Sequence, residues 1–593
     1  MRSAVSGGRP EDCRASPGDG PAAGRINGGP TTGAAVRGRV VTRPDPYRPA
    51  RRAARPAPGD RPDRAGDAAA GRPGRLRLPP ADHPARMTAK PLGVANDGPP
   101  DVIGLAVPDA RHHLHVQGVT GTGKSTWLAN LALSEADAGR GVVLLDCQGD
   151  LARNVLDRLP ARCGDRLVIL DPAETDAPPA WNVLAPVGTA GADDLAGREW
   201  AAENVVGVFR RLYAAWWGPR MDDVMRAACL TLARRPGSTL ADVPTLLTHA
   251  GFRRGVLDKH GEPEGIDGFW SGFDLLSDGQ RAQVCGPILS RLRGLLARRF
   301  ARDLLGSARS TVNLTDVLNG GILIARLAKG EIGEDTARIV GSLLLSGLWA
   351  HTVRRSALPP DERPDATIIV DECHNFLHLP IGVDDTLAEA RGYRVSLVLA
   401  HQHLAQLPSD VREAVDANAR NKVIFTVSPD DAAKLARHVT PYFEATDLAR
   451  RPGFEVVARV VHHGRDVPPF TLATEPLPPA ISGRADRLRA AARTRTGLSR
   501  TERDATAASR KVASKPGVAD LRADLQHPAG ARPPGRGGGG SGRGSSPGIP
   551  GSSLPGISGG TLRPAGGTAT PGRGLSAGHD DMEEPWGEPD WLP

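Results

Sequence analysis

Residues 114–127 read LHVQGVTGTGKSTW, and this stretch decides the fold of the chain. An apolar run leads into the pattern GxxxxGK[ST] at residues 118–125, and a helical pattern begins directly after it. This order predicts a strand, a glycine-rich loop and a helix. In such a loop the backbone N–H groups point at phosphate oxygens, and the helix N-terminus adds a favourable dipole. We therefore predict a phosphate-binding loop here, rather than a glycine-rich loop without a ligand.

The residues of this loop have separate predicted tasks. Lys124 is expected to reach the β and γ phosphates, and Ser125 is expected to ligate Mg²⁺. The glycines let the backbone curl closely around the phosphate oxygens. The predicted contacts of the nucleotide, taken as ATP, are Gly118, Thr120, Gly121, Thr122, Gly123, Lys124, Ser125 and Thr126.

A second pattern, ATIIVDECHNFL at residues 366–377, is an apolar strand pattern that ends in two carboxylates. Asp371 is expected to hold Mg²⁺, through water, and Glu372 is placed to polarise the attacking water as general base. The alternative is an ordinary strand end at the surface. The phosphate-loop motif upstream favours the catalytic interpretation.

Two further side chains are candidates for catalysis. The segment VLAHQH at residues 398–403 ends the next predicted strand, and its Gln402 would lie at the carboxyl edge of the sheet, where it would sense the γ phosphate or orient water. A structural hydrogen bond is its alternative. Arg391 would stabilise charge on the nucleotide of a neighbouring subunit, with Arg394 and Arg420 in reserve. Its alternative is a solvated charge on a helix.

Other polar residues near the motifs carry weaker signals. Asp146 ends the strand pattern GVVLLD and lies near the site, or it caps the next turn. A group of potential metal ligands flanks the predicted catalytic strand but lacks the spacing of a zinc finger, so we do not predict zinc. The group consists of Cys373, His374, His378, His401 and His403.

The fold class predicted for residues 87–475 is α/β, because short apolar runs alternate with helical patterns. Such runs, buried on both faces, are typical of a doubly wound parallel sheet. The pattern between about 195 and 310 is helical only, which predicts an all-α insertion. Strand patterns resume after it, so the two motifs can be neighbours. The predicted strands are 113–117, 141–146, 166–171, 321–327, 366–371, 395–401 and 421–427.

The charge of the chain is concentrated at its ends. Residues 1–86 carry a net charge of +9 and residues 476–593 carry +5, which leaves −6 for residues 87–475 out of +8 for the whole chain. Both ends are rich in Gly, Pro, Ala and Arg, which predicts disordered tails. The six cysteines form no CxxC pair, as suits a reducing cytoplasm. The apolar stretch 339–350 is too short for a membrane span and predicts a buried helix.

Taken in order, these segments resemble the HerA/FtsK superfamily of DNA-pumping ATPases. Within it they look most like the TraG/TraD-type coupling proteins of conjugation and type IV secretion. The resemblance covers about residues 100–475. The segments that carry it are HLHVQGVTGTGKST, GRGVVLLDCQGDL, VILDPAETDAPPAWNVL, VDECHNFL, LAEARGYRVSLVLAHQHLAQLP and REAVDANARNKVIF.

The resemblance implies a RecA-like motor domain, a ring that is usually a hexamer, nucleotide at the subunit interfaces, and DNA threaded through the ring. It implies that Lys124 and Ser125 form the Walker A pair, Asp371 and Glu372 the Walker B pair, and that Arg391 is close in spacing to an arginine finger acting in trans. Gln402 would match the third motif. Coupling proteins usually have N-terminal membrane helices, and no such pattern occurs here.

The expected function is therefore an ATP-hydrolysing DNA translocase for conjugative transfer. It would act in the cytoplasm, where relaxosome or secretion-channel proteins would recruit it to the inner face of the membrane. Two alternatives stay open. One is a HerA-like motor in repair or phage defence, and the other is a binding module whose ATP site controls assembly only.

Overall fold

The computed structural model describes residues 76–78, 88–96, 100–187 and 194–505. Almost all of the predicted N-terminal tail, and the C-terminal residues after 505, lie outside this range. The strands are β1 (Leu76–Leu78), β2 (Ala89–Ala95), β3 (Val102–Ala106), β4 (Leu114–Gln117), β5 (Gly141–Asp146), β6 (Leu167–Leu170), β7 (Ile322–Arg326), β8 (Ala366–Val370), β9 (Val395–His401), β10 (Asn421–Ile424), β11 (Glu455–Arg459), β12 (Val461–His462), β13 (Arg465–Asp466) and β14 (Phe470–Ala473).

The helices of the described residues lie mainly on the two faces of the sheet. They are α1 (Val107–Ala110), α2 (Lys124–Asp137), α3 (Asp150–Leu156), α4 (Leu195–Leu212), α5 (Pro219–Arg234), α6 (Val243–Thr248), α7 (Ala250–His260), α8 (Phe269–Leu275), α9 (Asp278–Ala297), α10 (Arg299–Leu305), α11 (Leu314–Leu318), α12 (Lys329–Ile332), α13 (Glu334–Val353), α14 (Val383–Ala390), α15 (Ser409–Asn418), α16 (Pro429–Leu435), α17 (Ala445–Ala449) and α18 (Arg484–Thr496).

Twelve of the described strands form one sheet, in the order β1-β3-β2-β14-β11-β10-β4-β9-β8-β5-β7-β6. The seven strands from β10 to β6 are parallel, and they are the seven that the sequence predicts. The predicted α/β class is confirmed. A single strand, β9, separates the strand before the phosphate loop from the strand before the two carboxylates, so both motifs reach the same edge of the sheet.

The parallel strands are buried on both faces, as their continuous apolar runs require. On β5, Val143 and Leu145 pack into a core shared with the inserted helices and α13. Val142 and Leu144 point to the opposite side and pack with α2 and α3. The sheet therefore has a separate apolar core on each face.

The inserted helices connect β6 to β7 and include α4 to α10. No strand interrupts them in the described residues between Leu170 and Ile322, which agrees with the predicted all-α insertion. The insertion leaves and rejoins the sheet at its outer edge, away from β4 and β8. For this reason a long insertion does not disturb the neighbourhood of the two motifs.

The other five strands of the sheet were not predicted. β11 pairs antiparallel with β10, and β14, β2, β3 and β1 continue the sheet in antiparallel register. Their sequences are short and mixed in polarity, and β2 contains Pro91 and a register shift at Gly93. Local periodicity did not separate them from loops, because their pairing partners are distant in sequence.

The apolar stretch at residues 339–350 lies inside α13, which is buried along most of its length in the core on one face of the sheet. This placement agrees with the predicted buried helix. In the part of the chain that the structure describes, no helix is both long and apolar enough to cross a bilayer.

The folded chain extends past residue 475, where the sequence placed the start of a tail. Helix α18 lies against the edge strand β6, and Leu488 and Ala492 are buried there. Arg489 pairs with the buried Asp171 at 2.5 Å, and Arg493 pairs with Glu174 at 2.8 Å. The arginines of α18, whose abundance suggested a tail, instead form ion pairs around a small apolar contact. Through this contact the helix covers the edge of the sheet.

We expect Leu488→Ala to lower the free energy of unfolding by about 2–5 kcal/mol, since it opens a cavity between α18 and the sheet. Arg487→Ala, on the exposed side of the same helix, is the matched control and should change it little. Urea unfolding of both variants measures the difference. Equal stability of the two variants would mean that α18 does not hold the sheet edge.

Candidate nucleotide-binding site

The predicted phosphate loop connects β4 to α2 and has the conformation that its glycines permit. Gly121 and Gly123 have φ angles of 83° and 107°, in the region that side chains disfavour. Thr122 Oγ1 donates a hydrogen bond to the carbonyl of Val119 at 2.8 Å, which closes the loop. Helix α2 begins at Lys124, so its first N–H groups face the loop. Ser125 is exposed in this first turn.

The two carboxylates follow directly after β8 and face Lys124. Lys124 Nζ donates to Glu372 Oε1 at 2.9 Å and lies 3.9 Å from Asp371 Oδ1. All three side chains are buried, with exposed fractions of 6% for Lys124, 3% for Asp371 and 4% for Glu372. The lysine therefore forms an ion pair with Glu372 and lies near Asp371. Ser125, in the first turn of α2, and Asp371, directly after β8, are the residues that could hold a divalent cation.

Gln402 links the loop to the carboxylates. Its Nε2 donates to Glu372 Oε1 at 2.7 Å, and its Oε1 accepts from Thr120 Oγ1 at 3.0 Å. Gln402 follows β9, the strand between β4 and β8, so its position depends on the strand order. The structure thus brings four of the predicted residues, Thr120, Lys124, Glu372 and Gln402, into one hydrogen-bonded network.

One oxygen of Glu372 is left for a further ligand. Oε1 accepts from both Lys124 and Gln402, whereas Oε2 is buried and accepts no hydrogen bond from the residues that the structure describes. The backbone of Glu372 has a φ of 49°, which is unusual for a residue with a side chain. A buried carboxylate oxygen without a donor is costly, and a water held there would satisfy it. This geometry suits a carboxylate that accepts a proton from water.

Burial is the main cause that raises the pKa of Asp371, to about 7, and the nearby Lys124 opposes the shift. A carboxyl group with this pKa holds its proton readily near neutral pH. A divalent cation favours the ionised form and would displace that proton. Cation binding at Asp371 would therefore be coupled to proton release from this carboxyl.

Asp146 accepts hydrogen bonds at the start of α3, and it also lies near enough to Asp371 for its charge to raise the pKa of that carboxyl. Asp146 Oδ1 accepts from the N–H groups of Gln148 and Gly149, and its Oδ2 accepts from that of Ala152, each at 2.8 Å. The structure therefore supports both alternatives weighed from the sequence, a place near the site and a role in capping the following turn.

Arg391 does not join the network within one chain. It follows α14 and precedes β9, at the amino ends of the parallel strands, whereas the phosphate loop lies at their carboxyl ends. Burial and then the charge of Arg391 lower the pKa of His112, which lies just before β4. The Arg391 side chain is exposed and has no hydrogen bond or ion pair with any described residue.

The two reserve arginines are engaged with their own chain. Arg394 donates to the carbonyls of Asp361 and Arg363, and Arg420 pairs with Asp466 at 2.9 Å. Of these three arginines, Arg391 is therefore the one whose side chain is not engaged with another described residue of its own chain.

The residues weighed as zinc ligands have other neighbours. His401 Nε2 lies 2.7 Å from His115 Nε2, inside the sheet between β4 and β9, and His374 Nδ1 lies 3.7 Å from Glu372 Oε2. Within the described ranges, no three His, Cys, Asp or Glu side chains form a group that could hold a metal by themselves.

Sequence patterns missed Phe454, which lies beside the phosphate loop. Its N–H donates to the carbonyl of Thr122 at 2.9 Å, and its ring lies next to Gly123. The only local signal is the Pro-Gly pair before it, which indicates a turn but does not indicate that this turn lies beside the phosphate loop. The antiparallel strand β11, also missed, begins directly after Phe454 and holds it there.

The strand order, the phosphate loop and the carboxylates after β8 define a RecA-like P-loop fold. No protein-family model and no curated protein matches the sequence. Among solved structures, the chain is similar to the unbound bacterial conjugative coupling protein TrwBdeltaN70, with a TM-score of 0.46 and 19% identity over 67% of this chain and 92% of that one.

Two further solved structures are similar at the same level. The plasmid coupling protein TrwB in complex with ADP and Mg²⁺ has a TM-score of 0.48 and 19% identity, over 70% of this chain and 98% of that one. VirB4 of Thermoanaerobacter pseudethanolicus has a TM-score of 0.44 and 14% identity, over 66% of this chain and 97% of that one. Similarity of this degree extends no further than the fold.

Asp371→Asn should make the nucleotide-free protein more stable at alkaline pH. Because the pKa of Asp371 is raised from 3.8 to about 7, the folded state binds this proton more tightly than the unfolded chain does. Its contribution to stability falls as the pH rises between these values, by at most about 1.4 kcal/mol per pH unit. Urea unfolding across this range, without Mg²⁺, measures the slope. An Asn variant with the parent's slope would contradict the shifted pKa.

Proposed function

We propose that this protein is a Mg²⁺-dependent ATPase that moves DNA, as a coupling motor for conjugative, type IV secretion-like transfer. The observation that carries the enzymatic part is the buried network of Lys124, Glu372 and Gln402, in which one oxygen of Glu372 accepts no hydrogen bond from any described residue. The ordered motifs that resemble TraG/TraD-type coupling proteins support the DNA-transfer part.

The network explains how ATP binding would prepare the chain for hydrolysis. Lys124 would exchange Glu372 for the β and γ phosphates, since both are anionic and the loop holds the phosphates close to it. Glu372 would then be free to accept a proton from the attacking water, and Gln402 would keep that carboxylate and the water oriented. Mg²⁺, held by Ser125 and Asp371, would neutralise the charge that develops on the phosphates.

The arrangement within one chain is incomplete for a motor, because Arg391 lies at the other end of the strands. A ring, taken as a homo-hexamer, would place Arg391 of one subunit beside the nucleotide of the next. Hydrolysis in one subunit would then depend on the position of its neighbour. Such dependence is what a motor needs in order to convert hydrolysis into movement along DNA.

DNA contact is proposed through a small number of inward Lys and Arg residues, or through the basic terminal segments, because residues 87–475 carry a net charge of −6. The proposed location is the cytoplasm, with recruitment to the inner face of the membrane by relaxosome or secretion-channel proteins. Phosphate contacts of this kind weaken steeply as salt rises.

The ATPase rate of the full chain should rise with DNA and lose that stimulation as salt increases. Glu372→Gln should keep ATP binding and reduce turnover by at least about a hundredfold, because it removes the proton acceptor. Lys124→Ala is the blank. Steady-state ATPase rates with single-stranded, double-stranded and no DNA measure both the stimulation by DNA and the loss of turnover. Normal turnover in Glu372→Gln would contradict the general-base role, and indifference to DNA would favour the assembly-module alternative.

Mixing two inactive variants tests Arg391. Arg391→Ala and Lys124→Ala should each hydrolyse little ATP alone, and a mixture should recover activity at about a quarter of its interfaces if subunits exchange randomly in a ring. Recovery occurs because an intact loop then meets an intact arginine. Arg394→Ala, mixed in the same way, is the control and should be active alone. A mixture without recovery would contradict an arginine that acts between subunits.

A further inference from the structure

Phe454 is an exposed aromatic residue on the rim of the phosphate loop. Its side chain is 49% exposed, although Phe is a residue that folded chains usually bury. The ring lies so close to Gly123 that an added Cβ there would stand 2.7 Å from the ring carbon Cδ1. A glycine at position 123 is therefore needed both for its φ angle and to leave room for this ring.

The backbone of Phe454 is held in a conformation that Phe rarely adopts. Its φ angle is 63°, in the left-handed region. Its N–H donates to the Thr122 carbonyl at 2.9 Å, and its carbonyl accepts from both the N–H and the hydroxyl of Thr474, at 2.7 and 3.0 Å. The backbone N–H and the carbonyl of Phe454 are thus both hydrogen-bonded. These bonds to the phosphate loop and to the end of β14 fix the position of the ring.

The preceding turn is tied to the same loop. Thr426 Oγ1 donates to the carbonyl of Arg451 at 2.7 Å, and the Thr426 carbonyl accepts from the N–H of Val119 at 2.9 Å. The turn that carries Phe454 is therefore connected to the beginning and to the middle of the phosphate loop. Unusual backbone conformations held this firmly are concentrated at ligand sites.

We propose that Phe454 is the stacking surface for the base of the bound nucleoside triphosphate. This inference rests on the proposed ATP site, because the phosphate loop places the phosphates and the ring lies at its edge. A flat ring that is half exposed offers contact area and a π surface to a base. Stacking does not read the edge of the base, so it contributes affinity for adenine and guanine alike.

Calorimetric titration of the full chain, with Mg²⁺, separates the base from the phosphates. The ligands are ATP, GTP and inorganic tripolyphosphate, which has the phosphates but no base. We expect Phe454→Ala to raise the Kd of ATP and GTP by about tenfold each, and to leave the Kd of tripolyphosphate within about twofold of the parent value. Phe454→Tyr, which keeps the ring, should bind all three within about threefold of the parent.

Two further variants test whether the loss of affinity is specific to the ring of Phe454. Trp216→Ala removes another exposed aromatic, 75% exposed in the helical insertion, and should change no Kd. Phe454→Gly removes the ring and suits the positive φ angle, so it should show the same selective loss even if Phe454→Ala folds poorly.

The outcomes distinguish this inference from the proposed function. Equal weakening of ATP and tripolyphosphate would overturn it, because the ring would then only shape the loop. Unchanged binding of ATP by the folded variants would overturn it as well. If the parent chain binds neither ATP nor tripolyphosphate, the proposed nucleotide site itself fails.

Discussion

The buried ion pair between Lys124 and Glu372 is the contact on which the arrangement of the site depends. Both side chains are almost completely buried, and their charged atoms lie 2.9 Å apart. A buried charge that loses its partner costs about 3–5 kcal/mol, so the pair is retained until another ion of the same sign replaces one member. In the proposed function, a phosphate of ATP would be such an ion for Lys124. The ion pair would then allow the carboxylate to be exchanged for a phosphate.

This ion pair requires a particular order of strands. Lys124 begins the helix after β4, and Glu372 follows β8, so the two meet only if β4 and β8 point the same way and lie near each other. Strand β9 lies between them and carries Gln402, which contacts both motifs through Thr120 and Glu372. The helical insertion joins β6 and β7 at the far edge, where it leaves this order intact.

Much of this arrangement was predictable because the parallel strands are continuous apolar runs. Burial on both faces leaves little else that a run such as GVVLLD or ATIIVD can form, and the residues that follow each run must meet at one edge of the sheet. The sequence could not predict the antiparallel strands, because β11 and β14 acquire their character from pairing with distant neighbours. The prediction of a tail in place of α18 was wrong for a related reason. The ion pairs with Asp171 and Glu174 that hold this helix form only when β6 is in place.

The sequence by itself determined the parallel sheet, the phosphate loop, the carboxylates after β8 and the inserted helices, because each depends on local periodicity or on a motif of adjacent residues. Only the tertiary structure decided which side chains touch. It placed Asp146 on a helix cap, Arg391 at the opposite end of the strands from the loop, and Phe454 beside Gly123. Contacts between residues far apart in the chain follow from strand order and packing, and neither is contained in any single stretch of sequence.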